Sequence, residues 1–318
     1  MAVAASDLAT QGRPLFGIAL KIVSVAIFVA MSSLIKAAGP VPPGQIVFFR
    51  SFFAIFPILL MLAWRRELAS AFHTARPVSH VMRGLVGVTA MGLTFFGLTR
   101  LPLPDAITLN YAQPLLVVVF SALFMGEVVR LYRWSAVLVG FVGVVIIAWP
   151  KLSLLTGAAG LEAAQAVGVI AVLCGAAASA VAMLLVRRLV QTEKTATIVL
   201  WFSVTATVVS LFTIPFGWAS LSVWQYAALV GAGICGGTAQ ILMTQCYRYA
   251  ELSTIAPFEY TSMVLAIVVG YFAFGDLPTL YTLVGGLIVV GAGLFIIWRE
   301  RQLGLQRSAA RRFVPPGG

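Results

Sequence analysis

Two ionisable residues set inside apolar runs hold most of the chemistry this sequence offers. Glu259, in Ala256-Pro257-Phe258-Glu259-Tyr260, lies about six residues into one hydrophobic segment, and Arg50, in Phe48-Phe49-Arg50-Ser51-Phe52-Phe53, lies at a similar depth in another. A charge at the centre of a membrane helix costs about 2.5–3.5 kcal/mol on insertion scales, somewhat less at this depth, so each residue needs a reason to be there. Glu259 reads as the only acid well inside an apolar segment and is the proton-coupling candidate, because a hydrocarbon environment disfavours the charged form of a carboxyl group. Arg50 has two readings. It either snorkels or pairs with Asp105 at the head of a later segment, or it faces a polar cavity and attracts a carboxylate. The two do not pair with each other: about six residues from opposite faces of ~22-residue helices leaves roughly 15 Å between them.

The elements that position these residues are written twice. Leu103 to Trp149, moved forward by 149 positions, falls on Leu252 to Trp298, with Tyr111 on Tyr260, Gly126-Glu127 on Gly275-Asp276 and Leu131-Tyr132 on Leu280-Tyr281. Asn110-Tyr111 thus corresponds to Glu259-Tyr260, and at an offset of 151 Arg50 corresponds to Trp201. Two polar-aromatic layers follow, one of Arg50, Asn110 and Tyr111, the other of Trp201, Glu259 and Tyr260. Gln113, Ser203, Gln240, Gln245 and Ser262 add hydrogen-bonding groups that either line a path or tie helices together. The two tyrosines either join that path or sit in an interfacial belt. Pro114 and Pro257 each remove a backbone bond inside a segment, giving a static kink or a hinge.

Composition fixes the solvent. Of 318 residues 61% are hydrophobic and 10% charged, against about 25% charged in a soluble domain. The chain therefore reads as an all-α polytopic membrane protein. Ten segments satisfy the ~20 apolar residues a spanning helix needs: 16–37, 44–64, 79–100, 104–125, 131–149, 164–187, 195–217, 223–249, 253–274 and 279–298. The net charge of +11 speaks for topology here and not for nucleic acid. Of the 21 Lys and Arg, all but Lys36, Arg50, Arg100 and Lys151 fall on one side when the N-terminus is inside, which puts both termini in the cytoplasm. Five helices per half is an odd number, so the two halves are inverted: 1–155 and 156–300, followed by a basic tail, 301–318, expected to be disordered. Inverted repeats are characteristic of secondary transporters, with a substrate site at the repeat interface.

Segments 5 and 10 carry glycines (Gly140, Gly143, Gly285, Gly286, Gly291, Gly293) and almost no polar side chains, and are expected to pack closely or to make oligomer contacts. Cys174, Cys235 and Cys246 lie in apolar segments and suggest no disulfide framework. No phosphate-binding Gly-x-x-x-x-Gly-Lys loop is present, and the only histidines, His73 and His80, are in or beside a loop. An ATP-driven pump and an intramembrane enzyme are both disfavoured, and no cofactor or metal is expected.

The chain resembles the drug/metabolite transporter superfamily in its ten-helix EamA-type branch. The resemblance rests on Phe48-Phe49-Arg50, on Leu101-Pro102-Leu103-Pro104-Asp105-Ala106, on Gly126-Glu127, on Ala256-Pro257 and on Gly275-Asp276, where the family more often has Gly-Glu. It implies a proton-linked or exchange-type carrier of the bacterial inner membrane that exports amino acids or related metabolites, with helices 1–4 and 6–9 around a cavity. The branch also holds uptake carriers, including importers of S-adenosylmethionine, so the resemblance leaves the direction open. A passive channel is the further alternative.

Overall fold

The computed structural model describes residues 14–126, 129–152, 161–189, 192–249 and 255–312. The motif residues Glu127 and Leu252 lie outside these, as does the start of the second repeat before Leu161. The described residues are all-helical. The spans are α1 (Pro14–Ala37), α2 (Pro43–Trp64), α3 (Pro77–Leu98), α4 (Leu103–Met125), α5 (Leu131–Leu152), α6 (Leu161–Leu189), α7 (Thr195–Leu211), α8 (Val223–Tyr249), α9 (Pro257–Phe274) and α10 (Leu280–Arg312). Nine are long and apolar enough to cross a membrane; α7, with 17 residues, is shorter and is followed by a 3₁₀ turn at Ile214–Phe216. Prolines open α2, α3 and α4 within the first turn, where a missing N–H leaves no bond unmade. We call the end where α1 begins the near end and the other the far end.

The repeat is visible in the backbone. α4 and α9 are each interrupted, at Tyr111 (φ −67°, ψ −6°) and Tyr260 (φ −70°, ψ −9°). Each interruption leads into a 14-residue helix, Ala112–Met125 or Thr261–Phe274, that stops at a left-handed glycine, Gly126 (φ 64°) or Gly275 (φ 68°). A side chain at either glycine would be strained. The break in α4 has a local cause: Pro114 has no N–H for the Asn110 carbonyl, and the Tyr111 N–H turns back to Thr108 O at 3.1 Å. In α9 the corresponding stretch, Ala256–Tyr260, is a 3₁₀ turn entered through Pro257. The prolines themselves occupy non-equivalent positions.

The helices pack mainly across the halves. α1 lies along α8 and α6 along α3; α2 meets α8 and α7 meets α3; α2 also meets α7, and α5 lies along α10. Exchanging the halves maps this set onto itself, as inverted repeats require. Glycine contacts correct one register. Gly87 faces Phe202 and Gly84 faces Thr205, while Gly236 faces Arg50 and Gly233 faces Phe53. Arg50 therefore corresponds to Phe202, at an offset of 152, and not to Trp201. In α5 and α10, Gly143 and Gly285 meet backbone to backbone, so these glycine faces are used within the chain.

α10 continues as helix to Arg312, past Arg301, where the basic tail begins. Residues 299–312 hold one glycine and no proline, so no strong helix breaker intervenes. Residues 313–318 are not among those described.

Candidate functional site

The expected site residues separate into three places. At the crossing of α4 and α9, the Tyr111 and Tyr260 rings meet edge to face, centroids 5.2 Å apart. Ser262 Oγ donates to the Glu259 carbonyl at 2.7 Å. With that proton used, the Tyr111 hydroxyl is the donor in its 2.5 Å bond to Ser262 Oγ. Glu259 forms an ion pair with Lys21 of α1; the lysine is 2% exposed and the glutamate 49%. Asn110 Oδ1, next to Tyr111, is buried without a hydrogen-bond partner among the described residues. Gln113 follows one turn later, half-buried on α4.

Arg50 and Trp201 belong to a second group, between α2, α3 and α7. Arg50 is 8% exposed, and its Nε has no hydrogen-bond partner among the described residues. The Arg83 guanidinium lies over the Phe202 ring at 3.8 Å, and His80 is tilted on Trp201 with centroids 5.7 Å apart. Ser203 is buried one position beyond Phe202. The third place is a cleft of about 360 Å³ at the near end, where Gln240 and Gln245 of α8 face Ile58 and Met61 of α2 and Ala196 and Val199 of α7.

At the far end the charges close on one another. Asp105, 1% exposed, takes an ion pair from Lys151 and a 2.5 Å hydrogen bond from Thr282 Oγ1. Beside it Lys36 lies 3.1 Å from Asp276 and donates to the Leu101 carbonyl at 2.6 Å. Asp276 also accepts from the Leu103 N–H at 2.9 Å. Helices α1, α4, α5 and α10 and the α9–α10 turn are thereby joined at one end. At the near end the α5–α10 pair carries only the more exposed Arg133–Glu300 bridge. In repeat register Lys151 corresponds to Glu300 and Thr282 to Arg133.

Two readings of Arg50 and Glu259 are thereby corrected. Asp105 does not pair with Arg50, because Lys151 and Thr282 occupy its oxygens. Glu259 is not the only acid within the apolar bundle, since Asp105 is buried more completely. Lys21, Arg83 and His80 stand outside the set that the sequence singles out, because Lys21 and Arg83 also read as topology determinants and His80 lies beside a loop. The signal was there: Lys21 and Arg83 lie seven residues or fewer inside their helices, the same depth that singled out Arg50.

A twice-repeated helical bundle with nine described spans long and apolar enough to cross a bilayer is that of a multi-pass membrane protein. The family is equally plain. The EamA-like transporter family matches residues 15–149 and 166–298, and the chain belongs to it. It is 26% identical over 258 residues to an S-adenosylmethionine uptake transporter of Rickettsia bellii, covering 81% of this chain and 84% of that one. It is 27% identical over 281 residues to a pseudopaline exporter of Pseudomonas aeruginosa, covering 87% and 94%. It is 28% identical over 253 residues to a riboflavin transporter of Rhizobium johnstonii, covering 77% and 78%. A crystal structure with 21% identity superposes with a TM-score of 0.61, over 90% of this chain and 98% of its own, and shares the fold.

Proposed function

We propose that the protein is a secondary carrier that moves small metabolites across the bacterial inner membrane by alternating access, with both termini in the cytoplasm. One observation carries the reading: the two ends of the bundle differ. The far end is joined by charged groups of α1, α4, α5 and α10 and the α9–α10 turn, and its recess lies apart from them between the Pro40–Pro43 turn and Thr99–Arg100, whereas the near end opens between the helices themselves, as a cleft between α2, α7 and α8. On the positive-inside orientation, that cleft faces the cytoplasm.

The moving parts are not the two halves as rigid bodies, since rocking them would tear the α1–α8, α3–α6 and α5–α10 contacts together. The interrupted helices α4 and α9 are better suited. Their Tyr111 and Tyr260 breaks already lack regular helical bonding, so rotation there disturbs least. In α4, Pro114 keeps the bond to the Asn110 carbonyl from forming. Glu259 and Lys21 form the coupling element: protonation of Glu259 releases Lys21 and loosens α9 from α1.

Export of amino acids remains the leading substrate class and direction. Uptake of a metabolite such as S-adenosylmethionine is the second reading, favoured by the Rickettsia relatives. Counterflow in proteoliposomes tests carrier against channel, using amino acids, nucleosides and S-adenosylmethionine. Trans substrate accelerates labelled uptake through a carrier; equal rates with and without it would leave a passive channel.

A further inference from the structure

In the group between α2, α3 and α7 the two arginines have no ion-pair partner among the described residues. Arg50 Nε and Arg83 Nε and Nη1 are buried with no hydrogen-bond partner among the described residues, as are both ring nitrogens of His80 and the indole N–H of Trp201. Arg50 and Arg83 stand on α2 and α3, which pack against each other and against α7. Among the described residues four acids have basic partners elsewhere: Asp105 with Lys151, Asp276 with Lys36, Glu259 with Lys21 and Glu300 with Arg133; Glu193 lies on the His80 side of the group, its carboxylate held by Thr74 and Ala75. Buried charges are ordinarily paired, so two cations left in this state form an environment that an incoming anion relieves.

The surroundings narrow the anion's type. A guanidinium offers a planar fork of donors that matches a carboxylate. The Phe202 face stacks under Arg83, and the Trp201–His80 pair supplies a flat apolar wall. There is also a way in. Arg50, Ala54, Ile58 and Met61 lie on one buried or half-buried stripe of α2, and the last two line the near-end cleft. Ile58 is eight residues from Arg50, about 12 Å along the helix. On α7, Val199 of the same cleft lies two residues before Trp201.

We propose that Arg50 and Arg83 form the anion-binding end of the transport site, and that the substrate presents a carboxylate next to a flat apolar group. The proposal rests on the carrier reading above and names its substrate class. The purified full-length protein in detergent provides the test, through its thermal unfolding midpoint with benzoate, benzamide or inorganic phosphate at equal millimolar concentration. Benzoate raises the midpoint and benzamide does not. Arg50→Gln and Arg83→Gln each weaken the benzoate response at least about tenfold, the factor carried by one charge-assisted pair. Without added anion, both variants unfold at or above the wild-type midpoint, because each removes a charge that nothing neutralises. Arg50→Lys keeps part of the response.

Equal responses to benzoate and benzamide, no response to benzoate, or an undiminished response in either Gln variant would overturn the assignment. So would a response to phosphate alone, or a marked loss of stability in the anion-free Gln variants, which would mark the arginines as structural. Failure of the carrier reading would show separately, as absent trans-accelerated flux in a protein that still responds to benzoate.

Discussion

Asp105→Asn removes the one carboxylate that Lys151 contacts at the far end while leaving the size of the side chain unchanged. In the wild type two lysines, Lys36 and Lys151, face two aspartates, Asp105 and Asp276, so the cluster is neutral. The substitution leaves Lys151, with its side chain 8% exposed, without its ion-pair partner, and the remaining aspartate, Asp276, is already paired with Lys36. Breaking a buried pair from one side costs about 3–5 kcal/mol. The Thr282 hydrogen bond weakens with it, since bonds to a charged acceptor contribute about 1.5–3 kcal/mol and those to a neutral one about 0.5–1.5. The double variant Asp105→Asn with Lys151→Gln removes the orphaned charge and should recover most of the loss. Equilibrium unfolding in mixed micelles of wild type, both single variants and the double gives the coupling free energy directly. A loss below about 1 kcal/mol in Asp105→Asn, or a double variant as unstable as the two singles added together, would refute the view that this pair is buried and mutually dependent.

Gly293→Ala places a methyl group 1.7 Å from the Tyr260 hydroxyl, so the tyrosine must move; overpacking of this kind costs about 1–3 kcal/mol, read as a lower thermal midpoint. Glu259→Gln ends the ion pair with Lys21 and should flatten the pH dependence of counterflow; an unchanged pH profile would remove Glu259 from coupling. At the near-end surface, hydrogen bonds from the Thr74 hydroxyl (2.8 Å) and the Ala75 N–H (3.0 Å) hold the Glu193 carboxyl below its usual range. The tie between these two loops is thus complete above about pH 4.3, the ordinary glutamate value, and is lost as pH falls through the lower folded value. Hydrogen exchange at Ala75 and Arg76 should rise over that acid range in the wild type, and at every pH in Glu193→Gln.

The sequence disclosed most of the backbone because the constraints that shape it are local. Apolar length marks a span, a proline marks a helix start or break, and a glycine after the last apolar residue marks its stop. These gave the 149-residue register at Tyr111 and Tyr260 and the glycine ends at Gly126 and Gly275. The partners of charged side chains were not legible, because they depend on which helices lie together. Lys151 reaches Asp105 across 46 positions and Lys21 reaches Glu259 across 238, and no periodicity connects either pair. The α2–α7 register was misread by one position for a related reason. Trp201 is the more conspicuous residue, but Gly87 and Gly236 show that Phe202 stands where Arg50 does. That shift brought Arg83, over Phe202, into the same group as Arg50.

Alternating access through α4 and α9 is most directly tested by locking them where they close. Pro104 and Gly270 face each other near the far end, with the glycine's absent Cβ 3.0 Å from the proline ring. Pro104→Cys with Gly270→Cys, in a background where Cys174, Cys235 and Cys246 are replaced by serine, allows a reversible cross-link between the two helices. Counterflow should be present in the reduced protein, lost on oxidation and restored by dithiothreitol. Undiminished counterflow in the fully cross-linked protein would contradict the mechanism.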